Sequence, residues 1–162
     1  MSVNFQVAAC QEALNNSLFG LCDDKNGQKA YTNANNPESW IATVKNDRNK
    51  ELVFTAIDKC IIRDNDYAGR GRCDGMLTSD DHIYFIELKD QTKSWITDAI
   101  EQLESTIQFF IAGHDINEYK HKKAFACNKQ HKHFQEIDIE LNLKFFRQYK
   151  VRIDVQADII IV

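Results

Sequence analysis

Residues Cys73 to Asp90 read CDGMLTSDDHIYFIELKD, two β-rich runs joined by an acidic turn, and their pairing decides the fold. With Asp80 and Asp81 as a two-residue turn, Ser79 lies opposite His82, Met76 opposite Phe85 and Asp74 opposite Glu87. Opposed residues of this kind have Cβ atoms about 4.5–5.5 Å apart. Glu87 and Lys89 then share a face, about 6.6–7 Å apart along the strand. The other face carries Gly75, Leu77, Tyr84, Ile86 and Leu88 and reads as core. A three-residue turn without a bulge would put Asp74 and Glu87 on opposite faces, so the cluster depends on register.

The remaining chain bounds what that hairpin belongs to. At 162 residues, 43% hydrophobic and 27% charged, it suits one domain with a sizeable core. A net charge of −4 offers no global attraction for nucleic acid or anionic membranes, so such binding would need a local patch. The start, MSVNFQVAACQEALNN, has neither the basic opening nor the apolar run of a signal peptide, and no stretch is apolar enough for a membrane span. A soluble, cytoplasmic protein is expected. Cys10, Cys22, Cys60, Cys73 and Cys127 are odd in number, form no CxxC pair and sit mostly in apolar runs, which suits reduced thiols acting as small hydrophobes.

No repeat and a single proline leave no domain boundary, so residues 1–162 are read as one domain. NFQVAACQEALNNSLFG places Phe5, Ala8, Ala9 and Ala13 at helical spacing and stops at Gly20; Pro37 with ESWIATVKN suggests a second helix, giving a helical segment over 1–46. ELVFTAIDKCII has strand composition, the hairpin follows, and Ile96, Ala99, Ile100, Leu103, Ile107 and Phe110 trace a helical stripe ending at Gly113. KKAFACN reads as a strand, FQEIDIELNLKFFRQY as a helix and KVRIDVQADIIIV as a last strand, which makes 134–162 a C-terminal helix and strand. The expected order is α, α, β, β, β, α, β, α, β, an α/β (α+β mixed) protein with a central mixed sheet flanked by helices.

Two carboxylates facing each other repel unless a cation lies between them, and hard oxygen ligands suit Mg²⁺ or Mn²⁺. A divalent ion there, with Lys89 beside it, would supply the electrophile and the cation that phosphodiester hydrolysis needs. The Asp-x12-Glu-x-Lys pattern across this hairpin, in RCDG and FIELKD with an amphipathic helix behind, resembles the PD-(D/E)xK nuclease superfamily, the restriction-endonuclease-like phosphodiesterases. The resemblance covers about 51–127, and the β-β-β-α-β order matches that family's core. Cys73 stands where a proline often precedes the aspartate. The resemblance implies a restriction-endonuclease-like core, Asp74 and Glu87 as metal ligands and Lys89 as the residue assisting attack. It also implies a helix glutamine at the site, for which Gln102 is in place, although Gln102 also reads as an exposed helix residue. A further acid often comes from an N-terminal helix, and Glu12 and Glu38 are the choices. Asp58 interrupts an apolar strand, either as a carboxylate supporting the site or as the partner of a buried arginine.

The run YKHKKAFACNKQHKH has no acid, and Arg63, Arg70 and Arg72 lead into the aspartate strand. Lys122, Lys123, Lys129, Lys132 and Arg72 are therefore the expected phosphate-binding set, against a plain reading of the lysines as a solvated loop. The favoured function is a Mg²⁺-dependent nuclease acting on DNA, as a homodimer where both strands of a duplex are cut. A second reading keeps the fold as a catalytically silent protein-binding or regulatory module, and a third takes the acidic hairpin as a solvated, incidental feature of a structural protein.

Overall fold

A computed structural model of the chain describes residues 3–162. Its strands are β1 (Gln11–Leu14), β2 (Leu18–Cys22), β3 (Tyr31–Asn33), β4 (Ala42–Lys45), β5 (Leu52–Ala56), β6 (Gly75–Thr78), β7 (His82–Lys89), β8 (His121–Asn128), β9 (Arg152–Val155) and β10 (Asp158–Ile160). Two α-helices accompany them, α1 (Ile96–Gly113) and α2 (Ile139–Tyr149). The larger sheet runs β1-β5-β6-β7-β8-β9, antiparallel as far as β7 and parallel from there, so it is mixed. The parallel step from β7 to β8 needs a crossover, which α1 provides. The smaller sheet runs β10-β4-β2-β3.

Strand β7, HIYFIELK, is buried on both faces almost to its end, which explains its nearly continuous apolar run. One face, with Ile83 and Phe85, packs on Ala99, Leu103, Ile107 and Phe110 of α1, and Phe145 and Tyr149 of α2, which lies against β9, join the same buried cluster. The other, with Tyr84, Ile86 and Leu88, packs on Phe19, Leu21, Val44 and Ile159 of the smaller sheet. The expectation of helices flanking the sheet holds for the first face; the second is covered by strands. Among the described residues, no helix is long and apolar enough to cross a membrane.

The hairpin register is as the sequence reading required: Met76 pairs with Phe85, Gly75 with Ile86, and the Ser79 N–H donates to the His82 carbonyl at 3.0 Å. The α1 boundaries, the KKAFACN strand and the helix before the last strands also agree.

The helical reading of 1–46 does not hold from Val3 onward; Met1 and Ser2 lie outside the described residues. Ala8–Cys10 makes one 3-10 turn, then β1 and β2 follow; Pro37–Ser39 makes another, followed by β4. Ala8 and Ala9 are exposed, so their helical spacing buys no burial, whereas Gln11–Leu14 completes the edge of the larger sheet against β5. Pairing of that edge outweighs a local preference worth tenths of a kilocalorie per residue. Gly20 is not a helix stop but a strand residue beneath an aromatic ring: a Cβ there would lie 1.9 Å from Trp40 Cγ. The last segment also differs, as β9 and β10 belong to different sheets.

The reduced-thiol expectation is corrected at two of the five cysteines. Cys10 and Cys60 form a disulfide that ties the start of β1 to the segment after β5, while Cys22, Cys73 and Cys127 are buried free thiols. The two partners are 50 residues apart, so no local spacing signals the bond. Such cross-links persist mainly in oxidising compartments.

Candidate active site

Asp74 sits just before β6, where the backbone is held from two sides. The Ile57 N–H donates to the Asp74 carbonyl at 2.9 Å, and the Asp58 N–H to the Cys73 carbonyl at 3.2 Å. From the helix side, Gln102 Oε1 accepts from the Arg72 N–H at 2.7 Å, and Thr106 Oγ1 accepts from the Cys73 N–H at 2.7 Å. Both come from one edge of α1, since residues four apart lie above one another. Gly71 makes room for this contact: a Cβ there would lie 2.3 Å from Gln102 Oε1. The Asp74 carboxylate reaches across the hairpin, and its Oδ2 accepts the Leu88 N–H at 2.7 Å.

Glu87 lies on the next strand, on the α1-facing side with Phe85. It is 5% exposed and Asp74 6%, so the carboxylates are buried rather than solvated. Glu87 Oε2 is 3.1 Å from Lys89 Nζ, and Lys89 is itself only 14% exposed at the side chain. Glu87 Oε1 is buried and meets no N–H donor, while the Asp74 carboxyl lies within hydrogen-bond reach of Glu87. Burial, then the Glu87 charge, pushes the Asp74 carboxyl well above the usual carboxylate range, against the Leu88 N–H. Burial likewise raises Glu87, against the opposing pull of Lys89. Two such groups hold a proton between them or take up a cation.

A lysine from the loop between β2 and β3 completes this corner. The Asp23 Oδ1 accepts the Lys25 N–H at 2.9 Å, in a turn that sets Lys25 at φ 57°, a left-handed conformation. Lys25 Nζ then donates to the Leu88 carbonyl at 2.6 Å and lies 3.4 Å from Asp23 Oδ2. Its charge draws both buried carboxyls back toward ionisation.

The donors that a Mg²⁺ or Mn²⁺ ion would use here are the two carboxylates, Glu87 with an oxygen that no N–H or O–H donor reaches; the Leu88 carbonyl is already taken by Lys25. Among the described residues no group of three or more His, Cys, Asp or Glu gathers at one point. The protein supplies two carboxylates here, the usual number for Mg²⁺.

The other expected residues scatter. Gln102 is half-buried and bonded to the backbone two residues before Asp74. Asp58 pairs with an arginine: its Oδ1 accepts Arg72 Nε at 2.6 Å, and Asp64 takes the other side of the same guanidinium. Arg72 is therefore occupied by two carboxylates. Glu12 is exposed on the edge strand β1 and accepts Thr32 Oγ1 at 2.6 Å, while Glu38 is exposed in the 3-10 turn after Asn36. From the N-terminal part it is instead the charge of Asp23 that acts on Asp74. Both Asp23 and Lys25 fall in a stretch whose Asn, Asp and Gly content marks only a loop.

The lysines divide between the two ends of the sheet. Glu87 pairs with Ala126, whereas Lys122 and Lys123 pair with Ile83 and Tyr84, about 10–13 Å back along the strand. Lys123 is 3.1 Å from Asp154 Oδ2, and Lys122 Nζ donates to the Tyr119 carbonyl at 2.7 Å. Lys129 lies at the carboxylate end, where its N–H donates to the Lys89 carbonyl at 2.9 Å, and Lys132 follows in the same loop. The buried Asn128 fixes this end by donating to the Gln91 carbonyl at 2.7 Å and accepting the Gln91 N–H at 3.2 Å. Comparison with protein families, with curated proteins and with solved structures finds no match to this chain.

Proposed function

We propose that the chain is a divalent-metal-dependent nuclease of the PD-(D/E)xK kind, with Asp74 and Glu87 as metal ligands and Lys89 as the assisting cation. The observation that carries this is the buried, opposed carboxylate pair in which Glu87 Oε1 meets no N–H donor, with an ammonium 3.1 Å from Oε2. A fold that buries two acids in apolar surroundings incurs a destabilisation that a bound cation removes. Bound Mg²⁺ or Mn²⁺ would supply charge neutralisation and a Lewis acid for the phosphodiester. Asp74, fixed by the Leu88 N–H, and Glu87, fixed by Lys89, set the ligand geometry. Lys89 stands ready to stabilise negative charge that grows in the transition state. Lys129, at the same sheet end, is the proposed phosphate contact, and DNA is the proposed substrate. Cutting both strands of a duplex would take two copies.

The silent-module reading draws on a different observation: Lys25 already places an ammonium on the Leu88 carbonyl beside the pair, so an internal cation satisfies part of what a metal would. Incubation with labelled single-stranded and duplex DNA and with RNA, in Mg²⁺, Mn²⁺ or EDTA, separates the two. Metal-dependent cleavage by the wild type that Asp74→Asn and Glu87→Gln abolish is the expected result. Absence of cleavage with either metal overturns the nuclease proposal in favour of the module.

A further inference from the structure

We propose a second anion-binding site, at the far end of β8 from the carboxylate pair: a groove that holds the phosphate backbone of a single-stranded nucleic acid. It is a cavity of about 420 Å³ whose lining includes Lys120, Lys122, Lys123, Lys150, Arg152 and the ring of Phe146. These residues come from two separate stretches of chain, 120–123 and 146–152. The β8 to β9 register sets Lys123 directly beside Arg152, and adjacent like charges are unfavourable unless something anionic offsets them. Asp154 offsets one, through its ion pair with Lys123.

The C-terminal end of α2 opens here, and its partial negative charge accounts for a lysine at Lys150. It does not account for Lys120, Lys122 or Lys123, which belong to β8 and the turn before it. The exposed Phe146 ring has the Arg152 guanidinium 5.2 Å and the Lys150 ammonium 5.9 Å from its centroid. An aromatic face between cations is how unpaired bases and their phosphates are held together without sequence preference. A duplex offers no free base face to stack there. The groove lies well away from Glu87, so it grips a part of the strand that is not being cut; the inference extends the nuclease reading, but the binding it describes needs no cleavage.

The test is fluorescence anisotropy of a labelled oligothymidylate of about twelve nucleotides, within the usual span of single-strand sites, titrated with protein in EDTA over a range of salt. The triple variant Lys120→Gln, Lys150→Asn and Arg152→Gln changes exposed residues only, and Asn tolerates the left-handed φ of 63° at position 150. It should bind about tenfold more weakly or worse at low salt, with the log–log salt slope flattened by about 2. Phe146→Ala should weaken binding without changing the slope. Lys120→Glu alone, outside the helix cap, gives the same direction if the triple variant is poorly folded. No binding by the wild type, an unchanged slope in the folded variants, or equal affinity for an acidic peptide overturns the proposal. Groove binding without cleavage removes only the nuclease reading, and cleavage without groove binding removes only this one.

Discussion

Thr106 Oγ1 lies 2.7 Å from the backbone nitrogen of Cys73, one residue ahead of the buried Asp74. One turn earlier Gln102 holds the nitrogen of Arg72, so α1 grips two successive peptide groups and fixes where Asp74 enters the site. The same Thr106 hydroxyl donates to the Gln102 carbonyl at 3.0 Å, leaving it free to accept from Cys73.

Removing that acceptor should be costly. Thr106→Val keeps the shape but leaves the Cys73 N–H buried without a partner, a loss of about 1–3 kcal/mol. Urea unfolding of the variant should show it, with Thr106→Ser close to wild type. Gln102→Ala should lose less stability, since Arg72 is nearer solvent, but should slow single-turnover cleavage by displacing Asp74.

The buried pair also fixes a pH dependence. An unfolded chain releases its Asp and Glu protons near pH 4, whereas the native pair, raised by burial, holds a proton to higher pH. Above about pH 4 the native state therefore binds more protons than the unfolded state, and stability falls as pH rises, by up to about 1.4 kcal/mol per unit for each proton, until the folded pair ionises. Urea unfolding between pH 5 and 8 should show this decline in metal-free protein, and Asp74→Asn should flatten it. Parallel curves for the two proteins would mean that the pair is not protonated.

Lys25 should oppose metal binding. Its ammonium, on a side chain that is 43% exposed, and a divalent ion near the pair repel by on the order of 1 kcal/mol. Calorimetric titration of Lys25→Met with Mn²⁺ should therefore give binding about fivefold tighter than wild type. Weaker binding would instead make Lys25 part of what shapes the site.

Lys89 should matter to rate more than to affinity. Charge stabilisation that develops only in the transition state lowers the barrier without improving ground-state binding. Lys89→Ala is expected to bind labelled DNA about as well as wild type and to cleave at least about a hundredfold more slowly in single-turnover assays. Lys89→Arg should not restore the rate, because the planar guanidinium does not fit the ammonium's position against Glu87 Oε2.

The Cys10–Cys60 cross-link spans 50 residues, for which loop closure gives about 4 kcal/mol of stabilisation. Cys10→Ser with Cys60→Ser, or reduction by dithiothreitol, should lower the melting temperature by roughly 10 °C. Thiol titration of the denatured, unreduced protein should find three free cysteines.

How far the sequence could be read depended on whether structure was set locally. The hairpin was legible because turn length and alternation together leave one register that buries Leu77, Tyr84 and Ile86. The stripe of α1 was legible because 18 residues of one period leave little room for another reading. In the N-terminal part, alanines that favour a helix are overruled by a strand partner some forty residues later, Gln11 with Thr55, and a local window contains nothing of that partner. The pairing of Asp58 with an arginine was among the readings of its apolar strand, but the identity of Arg72 was not. Lys25 was invisible because its role depends on a left-handed turn aimed at a carbonyl 63 residues away.

Strand β10 lies parallel to β4, with Asp158 beside Thr43 and Ile160 beside Lys45. The smaller sheet thus joins residues more than a hundred positions apart, and β9, just before it, closes the other sheet. During synthesis residues 152–160 must leave the ribosome before both sheets have these strands, and until then the apolar edges of β4 and β8 lie open to wrong partners. Closure so distant in sequence is slow, on the scale of milliseconds to seconds. Residues 152–160 therefore act in time as well as in space: their arrival sets when both sheet edges are covered.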